Sequence, residues 1–376
     1  MITPEDIYRF GQTHAQEAID LLCALAPIPA PSHKEQRRIS FCREWLENQG
    51  VCTAYTDVAG NLIIPFFDIS SSVTVVCAHA DVVFADETPL PLTVDDGRIC
   101  CPGVGDDTAN AVMLLMAAVY LHKRGMAPSN GGVLLVVNVG EEGLGNLKGA
   151  RQLLADFGGR ICRFVSFDCY ATTVIDRAVG SLRYRVSCDT KGGHSYFDFG
   201  RPNAIATLSA LVADWYAQPT VMHTTYNVGT ITGGTSVNTI AAHAEMFCEI
   251  RSTDAAALAQ AKQAFEETVR RHDLADAPLT VETVGERPCG GTVDAAAQQA
   301  LCDMAKTVLT RHFGNAPSFE SGSTDCNVPL SVGIPSVCFG CILGDGMHTR
   351  EEYVTVDSIP KGLSAALDMI THLCDE

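Results

Sequence analysis

The chain has 376 residues, of which 47% are hydrophobic, and a net charge of −18 at pH 7. This length exceeds the size at which a single hydrophobic core stops growing, so two domains are expected. The acidic charge argues against nucleic acid and anionic membranes as partners, since both would repel such a surface.

Two features of the sequence predict a cytoplasmic location. The uninterrupted apolar stretches stay below the roughly 18 to 20 residues that span a bilayer, so no membrane helix is predicted. The first ten residues contain Glu5, Asp6 and Arg9 instead of a basic segment followed by an apolar one, which argues against a secretory signal.

The chain contains 16 cysteines, most of them scattered singly through apolar segments. In so long a chain we expect them to be reduced and packed as small hydrophobic residues. Cys338 and Cys341 have the spacing of a zinc or redox motif. They lie in a strand-like run, however, and no second such pair completes a zinc site, which favours a packing role.

Helix-like and strand-like patterns alternate over the first half of the chain. In chain order we predict helices at residues 4–26 and 32–49, strands at 61–66 and 73–78, a helix at 108–124, a strand at 133–140, a helix at 149–157 and a strand at 163–167. Several of these strands are apolar runs without polar alternation, which is typical of strands buried on both faces of a parallel sheet.

The pattern changes after about residue 180. There we predict strands at 182–190, 226–231, 244–251 and 279–283, and helices at 202–216 and 255–272. Two helices on an antiparallel sheet of about four strands form a small α+β (ferredoxin-like) unit. A helix at 293–313 and an apolar strand at 336–343 then resume the first pattern. The predicted fold is therefore α/β: a mixed, mostly parallel sheet flanked by helices in residues 1–178 plus 291–376, with residues 179–290 inserted.

Three of the apolar runs end at ionisable residues. His79 and Asp81 follow one run, Glu141 and Glu142 follow another, and Asp168 follows the third. In open parallel sheets, chemical groups collect at the carboxyl ends of the strands. We therefore expect these five side chains to lie close together.

The individual signals differ in strength. His79 and Asp81 point to the same side of an extended chain, so Asp81 could hold one ring nitrogen while the other binds a metal. Such a pair alone is a weak signal. Asp106 and Asp107 stand in a glycine-flanked turn before a helix, where they could merely cap that helix.

Glu141 and Glu142 are harder to explain structurally, because adjacent carboxylates at the end of an apolar strand repel each other unless cations or a proton compensate. The similar pairs at 266–267 and 351–352 stand in more polar contexts. His348 follows a flexible Gly-Asp-Gly loop that could bring it to the same place. Together these residues predict a two-metal hydrolytic site.

The order of the motifs resembles the M20 family of zinc metallopeptidases and amidohydrolases, which includes peptidase T, carboxypeptidase G2 and acetylornithine deacetylase. The resemblance covers essentially the whole chain. It is carried by AHADVV (78–83), GVGDDTANAV (103–112), VGEEGLG (139–145), SFD (166–168), GGHS (192–195) with RPNAI (201–205), GGTSVNTIAAHAE (233–245) with EIRS (249–252), SGSTDCN (321–327) and GMHTREEYV (346–354).

The resemblance implies two divalent metal ions held by five residues. Asp106 would bridge the ions, His79 and Asp168 would complete one site, and Glu142 and His348 would complete the other. Nitrogen and oxygen ligands of this kind suit Zn²⁺, with Co²⁺ or Mn²⁺ as alternatives.

The resemblance also implies roles for five residues that are not metal ligands. Glu141 would be the general base that deprotonates the metal-bridging water, and Asp81 would orient His79. His194 would reach the active site of a partner subunit and stabilise the oxyanion, which implies a homodimer formed through the inserted lid domain. Asn238 and Arg251 would hold the substrate, with the arginine gripping a carboxylate.

Three functions are compatible with this pattern. Within the family, aspartate at position 168 is typical of di- and tripeptidases and glutamate of deacylases, so an exopeptidase acting on short peptides is the first hypothesis. An N-acyl-amino-acid deacylase with the same metals is the alternative. A non-catalytic binding protein is the least favoured, since every expected ligand and Glu141 are present.

The sequence departs from the family pattern at Thr108. The family usually has lysine or another polar residue after the two aspartates, so the acidic turn lacks that positive partner here. The departure removes no expected metal ligand.

Overall fold

The structure is a computed structural model, and it describes residues 2–125 and 131–375. The chain divides into two compact units. The first combines Met1–Ala178 with Gly291–Glu376, and the second is Val179–Gly290. In sequence, the second unit is thus inserted into the first.

The described residues form helices and strands that agree in order with most of the predicted elements. The helices are α1 (Pro4–Leu25), α2 (Gln36–Asn48), α3 (Ala109–Arg124), α4 (Lys148–Phe157), α5 (Ala204–Ala217), α6 (Ala255–His272), α7 (Ala295–Phe313), α8 (Asn327–Ser331) and α9 (Ile359–Asp375). The strands are β1 (Tyr55–Thr56), β2 (Leu62–Phe67), β3 (Val73–His79), β4 (Thr93–Asp95), β5 (Arg98–Cys100), β6 (Gly132–Asn138), β7 (Ile161–Phe167), β8 (Thr173–Ala178), β9 (Gly180–Asp189), β10 (Gly193–His194), β11 (Thr224–Gly233), β12 (Thr239–Ile240), β13 (His243–Ser252), β14 (Leu279–Arg287), β15 (Ser318–Gly322), β16 (Ser336–Phe339), β17 (Gly344–Asp345) and β18 (Tyr353–Thr355).

The first unit is built on an eight-stranded sheet with the order β1-β2-β6-β3-β7-β16-β8-β15. The central strands β6, β3, β7 and β16 run parallel, as do β8 and β15. The pairs β1–β2, β2–β6 and β16–β8 are antiparallel. The prediction of a mixed, mostly parallel sheet is confirmed.

Both faces of this sheet are covered by helices. Along β3, Val76 and Ala78 join an apolar cluster with α1, α3 and α9, whereas Val75 and Cys77 join a cluster with α4 and α8. Every residue of β3 is buried. This double burial explains why the strand has no polar alternation in sequence.

One helical stretch, Val104–Arg124, is long and apolar enough to cross a membrane, but its most apolar segment is 94% buried inside the protein. Core helices of soluble proteins can have the same length and composition, so this stretch is weak evidence for a membrane span.

The second unit is an antiparallel sheet with the order β11-β13-β9-β14, on which α5 and α6 pack. The ring of Phe265 from α6 lies 4.7 Å from Trp215 of α5 and 4.9 Å from Tyr184 of β9, measured between ring centroids. The short strands β10 and β12 form a separate antiparallel pair. These elements form the expected α+β arrangement.

Some elements differ from the prediction in their bounds. The predicted strand at 336–343 ends at Phe339. Gly340 follows, at a position where a Cβ would lie 2.0 Å from the carbonyl oxygen of Cys169. The predicted helix at 32–49 begins only at Gln36. The strands β8 and β15, which lie next to each other at one side of the sheet, and the helix α9 were not predicted.

None of the sixteen cysteines, all of which lie in the described residues, forms a disulfide, and eleven of them are buried. Cys338 and Cys341 are both among the buried ones. Their burial in the core agrees with the packing role expected for them.

Candidate metal centre

The order of the central strands brings the predicted ligands to one edge of the sheet. β3 lies between β6 and β7, and all three run in the same direction. His79 is the last residue of β3, Glu141 and Glu142 follow β6, and Asp168 directly follows β7. Their side chains therefore leave the sheet at neighbouring strand ends.

Asp106 lies between the two histidines. Its Oδ1 is 2.9 Å from Nε2 of His79, and its Oδ2 is 2.9 Å from Nε2 of His348. Asp168 Oδ1 lies 3.9 Å from the His79 nitrogen, and Glu142 Oε1 lies 3.4 Å from the His348 nitrogen. The five side chains thus form two groups, each with an imidazole and a carboxylate, that share Asp106.

The site concentrates negative charge in a buried place. His79 is fully buried, and Asp106, Glu142 and Asp168 are at most 6% exposed. Burial, reinforced by the charge of Asp106, raises the pKa of Asp168 to about 7, and burial likewise raises the pKa of Glu142 to about 7. Carboxylates crowded in this way favour a cation among them.

The two imidazoles respond to the same charges. Hydrogen bonds with Asp106 and Glu142 raise the pKa of His348 to about 11. Burial alone would lower the pKa of His79, but Asp107 and Asp106 raise it well above its ordinary value. The carboxylates therefore create a negative electrostatic potential around both rings. The same potential would attract divalent cations.

A second group of ligand-type atoms overlaps this one. Atoms of Asp168, Cys169 and Cys338 lie within 4.8 Å of one another, as do atoms of His79, Asp106 and Glu142. A hydrogen bond with Cys169, together with burial, raises the pKa of the Cys338 thiol well above its usual value. A neutral thiol is a poorer metal ligand than a thiolate, so the nitrogen and oxygen donors define the better site.

The carboxylate of Asp81 contacts further groups besides His79, the one predicted. His79 Nδ1 lies 3.0 Å from the main-chain oxygen of Asp81 and 3.6 Å from its Oδ1. The carboxylate also accepts hydrogen bonds from the main-chain N–H groups of Glu141 (3.0 Å) and Glu142 (2.8 Å) and from the Ser32 hydroxyl (2.7 Å). Asp81 thus holds the backbone that carries both glutamates.

A buried arginine approaches the acidic turn at the position where the sequence departs from the family. Arg38 of α2 donates to the Thr108 hydroxyl at 2.9 Å and to the carbonyl oxygens of Ala80 and Ile28. The Thr108 hydroxyl donates in turn to the Gly103 carbonyl at 2.6 Å. Burial lowers the pKa of Arg38 to about 10, which still leaves it charged at neutral pH. Sequence reasoning missed Arg38, because an arginine in an amphipathic helix is usually exposed.

The predicted residues of the second unit fall into two places. Pairing of β10 with β12 sets His194 opposite Thr239, and the Ser195 N–H donates to the Asn238 carbonyl at 3.0 Å. His194 and Asn238 are therefore neighbours. The strand β13 begins at His243, three residues after the end of β12. Arg251 lies eight residues further along β13, which is about 26 Å in an extended strand.

Two local contacts orient these residues. His194 Nδ1 accepts main-chain N–H groups of Tyr196 (3.2 Å) and Phe197 (3.4 Å), so the proton of a neutral ring is on Nε2. Arg251 donates through Nε and Nη2 to both carboxylate oxygens of Glu249, at 2.8 and 3.0 Å. These two bonds use two of the five N–H donors of the guanidinium.

The contacts of Asp81 predict a loss of stability when its carboxylate is removed. An asparagine at position 81 has one oxygen and an NH₂ group, so one of the N–H donors of Glu141 and Glu142 would lose its acceptor. We expect Asp81→Asn to lower the free energy of unfolding of chelator-treated protein by about 2 kcal/mol, measured by chemical denaturation. Asp20→Asn, at an exposed site on α1, is the matched control. Equal stability of the two variants would show that these main-chain bonds contribute nothing.

The model of the peptidase family M20/M25/M40 matches residues 75–372 of the chain. A tripeptidase from Staphylococcus aureus is 21% identical with a TM-score of 0.73, and the match covers 96% of this chain and 98% of that one. The di-peptidase Dug1p from Saccharomyces cerevisiae is 15% identical with a TM-score of 0.78, covering 99% of each chain. An amidase of the hydantoinase/carbamoylase family from Burkholderia vietnamiensis is 17% identical with a TM-score of 0.67, covering 96% and 98%. No curated protein sequence matches. Because the family model spans most of the chain, this protein belongs to the peptidase family M20/M25/M40, a family of metal-dependent hydrolases.

Proposed function

We propose that this protein is a di-metal exopeptidase that hydrolyses the amide bond of di- or tripeptides. The observation that carries the proposal is the position of Asp106, which extends one carboxylate oxygen towards His79 and the other towards His348. A tripeptidase and a di-peptidase among the similar solved structures support the substrate class.

The donor set fits two Zn²⁺ ions. One ion would be held by His79, Asp106 and Asp168, and the other by Asp106, Glu142 and His348. Imidazole nitrogens and carboxylate oxygens suit zinc, and Co²⁺ or Mn²⁺ accept the same donors. When bound, such a pair polarises a substrate carbonyl and makes water more acidic.

Glu141 would move the proton in this reaction. It follows β6 at the edge of the sheet where the ligands meet, is 6% exposed, and has its main-chain N–H fixed by Asp81. Its carboxylate would take a proton from the attacking water and deliver it to the amine nitrogen as the C–N bond breaks. Asp81 would support this role by holding the backbone of Glu141, in addition to its predicted role of orienting His79.

His194, Asn238 and Arg251 would bind the substrate. With its proton on Nε2, His194 can donate a hydrogen bond to the oxyanion of the tetrahedral intermediate. Arg251 would bind the free carboxylate of the peptide with its planar guanidinium. We propose that the Val179–Gly290 unit acts as the lid and forms a homodimer in which His194 serves the partner's active site.

Exposed aromatic side chains in the loop that carries His194 support the proposed homodimer. Tyr196 and Phe197 are each 80% exposed and Phe199 is 90% exposed. Large exposed aromatic side chains in a cluster are typical of a surface that another molecule covers. We also propose a cytoplasmic location, which sixteen cysteines without a disulfide among the described residues support, because thiols are kept reduced there.

N-acyl-amino-acid deacylation is the alternative. The same metals and the same base would hydrolyse an N-acyl amide. The amidase among the similar structures supports this alternative. A non-catalytic binding protein that retains the fold is less favoured, since the buried carboxylate cluster and Glu141 are both present.

The role of Glu141 predicts the effect of removing its carboxylate. We expect Glu141→Ala to retain its metal content and to lose peptide hydrolysis by a factor of about 10²–10⁴, because no group remains to move the proton. Metal analysis and kcat measurements check this, with Glu320→Ala at an exposed site as the control. Full activity in Glu141→Ala would remove this residue from the mechanism.

A substrate panel decides between the two amide chemistries. With zinc added to chelator-stripped protein, we expect Leu-Gly and Leu-Gly-Gly to be cleaved with a kcat/KM at least about tenfold above that of N-acetyl-leucine. The reverse order would favour the deacylase.

The same panel tests Arg251. We expect Arg251→Met to raise KM for Leu-Gly-Gly by about tenfold or more, since a charge-assisted hydrogen bond to the carboxylate is lost. We expect the KM for the C-terminal amide of that peptide to be the same in Arg251→Met and in the wild type. Arg185→Met, which removes an arginine from β9, is the matched control. An equal effect on the acid and the amide would exclude Arg251 as the carboxylate-binding group.

A further inference from the structure

We propose that Glu352 is a positioning residue that holds the loop of residues 103–108, and with it Asp106, in the geometry that the two metal ions need. The inference rests on the proposed di-metal function. Glu352 is neither one of the five expected ligands nor the general base, and its position next to Glu351 made it resemble a solvated acidic pair in sequence.

The carboxylate of Glu352 accepts three main-chain hydrogen bonds from this loop. Its Oε2 accepts from the Gly103 N–H at 2.7 Å, and its Oε1 accepts from Gly105 at 2.8 Å and Asp106 at 2.7 Å. The side chain is completely buried. Successive N–H groups that converge on one carboxylate form an anion-binding nest.

These bonds act directly on the bridging residue. One of the three donors is the N–H of Asp106 itself, whose side chain lies between His79 and His348. The loop also depends on close approach, because a Cβ on Gly105 would lie 2.9 Å from Glu352 Oε1 and 2.8 Å from the Tyr170 ring. Glycine at position 105 thus lets the backbone reach the carboxylate.

Glu352 also links Asp106 to the second histidine. It lies four residues after His348, and its carbonyl oxygen accepts the Cys101 N–H at 3.2 Å. The next residue, Tyr353, begins β18, which pairs with β5 just before the loop. The side chain of His348 is 52% exposed, so burial does little to place it. Its position depends on the segment that Glu352 attaches to the metal-binding loop.

The chemistry of the three bonds requires a carboxylate. Glutamine at this position has one oxygen acceptor, and its NH₂ group would face an N–H donor instead of accepting from it. Glu352→Gln therefore disrupts at least one bond without changing the size of the side chain. Glu352→Asp keeps the charge but is one methylene shorter.

The test compares Glu352→Gln with Glu351→Gln, the same change at the exposed neighbouring residue. Zn²⁺ affinity is measured by competition with a chelator, the ligand geometry by the visible absorption of the Co²⁺-loaded protein, and folding by thermal denaturation. We expect Glu352→Gln to weaken Zn²⁺ binding by about 10- to 100-fold, to alter the Co²⁺ spectrum, and to lower kcat more than it raises KM. The Glu351→Gln variant should match the wild type.

Unchanged zinc affinity and an unchanged Co²⁺ spectrum in folded Glu352→Gln would overturn the inference. Should this variant fail to fold, Glu352→Asp takes its place, with an expected loss of affinity of about tenfold. Wild-type affinity in Glu352→Asp would equally overturn the inference. Because zinc affinity and the Co²⁺ spectrum are measured without substrate, a wild-type protein that hydrolyses no peptide would refute the proposed function and leave this test intact.

Discussion

The structure depends on a cluster of buried carboxylates at one edge of a parallel sheet. This cluster requires positive charge between its members. Asp106, Glu142 and Asp168 are almost completely buried beside the two imidazoles. Burial and mutual repulsion raise the pKa of Asp168 and Glu142 to about 7. A hydrophobic core of this size tolerates such a cluster only where cations or protons balance it. This electrostatic constraint is the physical basis for the proposed metal site.

The surrounding residues keep that cluster in place through the backbone. Asp81 holds the N–H groups of the two glutamates, and Asp107 Oδ2 accepts the His79 N–H at 2.7 Å. Arg38 and Glu352 both contact the glycine-flanked turn. Arg38 binds the Thr108 hydroxyl, and Glu352 binds three main-chain N–H groups. Side chains outside the proposed ligand set, three of them acidic, therefore hold the segments that carry the proposed metal ligands.

Sequence patterns predicted the parts of this arrangement that repeat along the chain. Apolar runs without alternation identified β3, β6 and β7, and the rule that chemistry collects at strand ends placed His79, Glu142 and Asp168 together. The bonds of Arg38 and Glu352 could not be predicted, because each joins segments far apart in sequence and neither residue has a periodic signal. The strands β8 and β15 were missed for a related reason: their residues are partly exposed and lack a continuous apolar run.

The proposed function requires that two cations share Asp106. Crystals of the zinc-loaded protein, with diffraction recorded on both sides of the zinc absorption edge, test it most directly. We expect two anomalous peaks, roughly 3.5 to 4 Å apart, on either side of the Asp106 carboxylate, one beside His79 and Asp168 and the other beside Glu142 and His348. A single peak, or ions that do not contact Asp106, would contradict the proposed function.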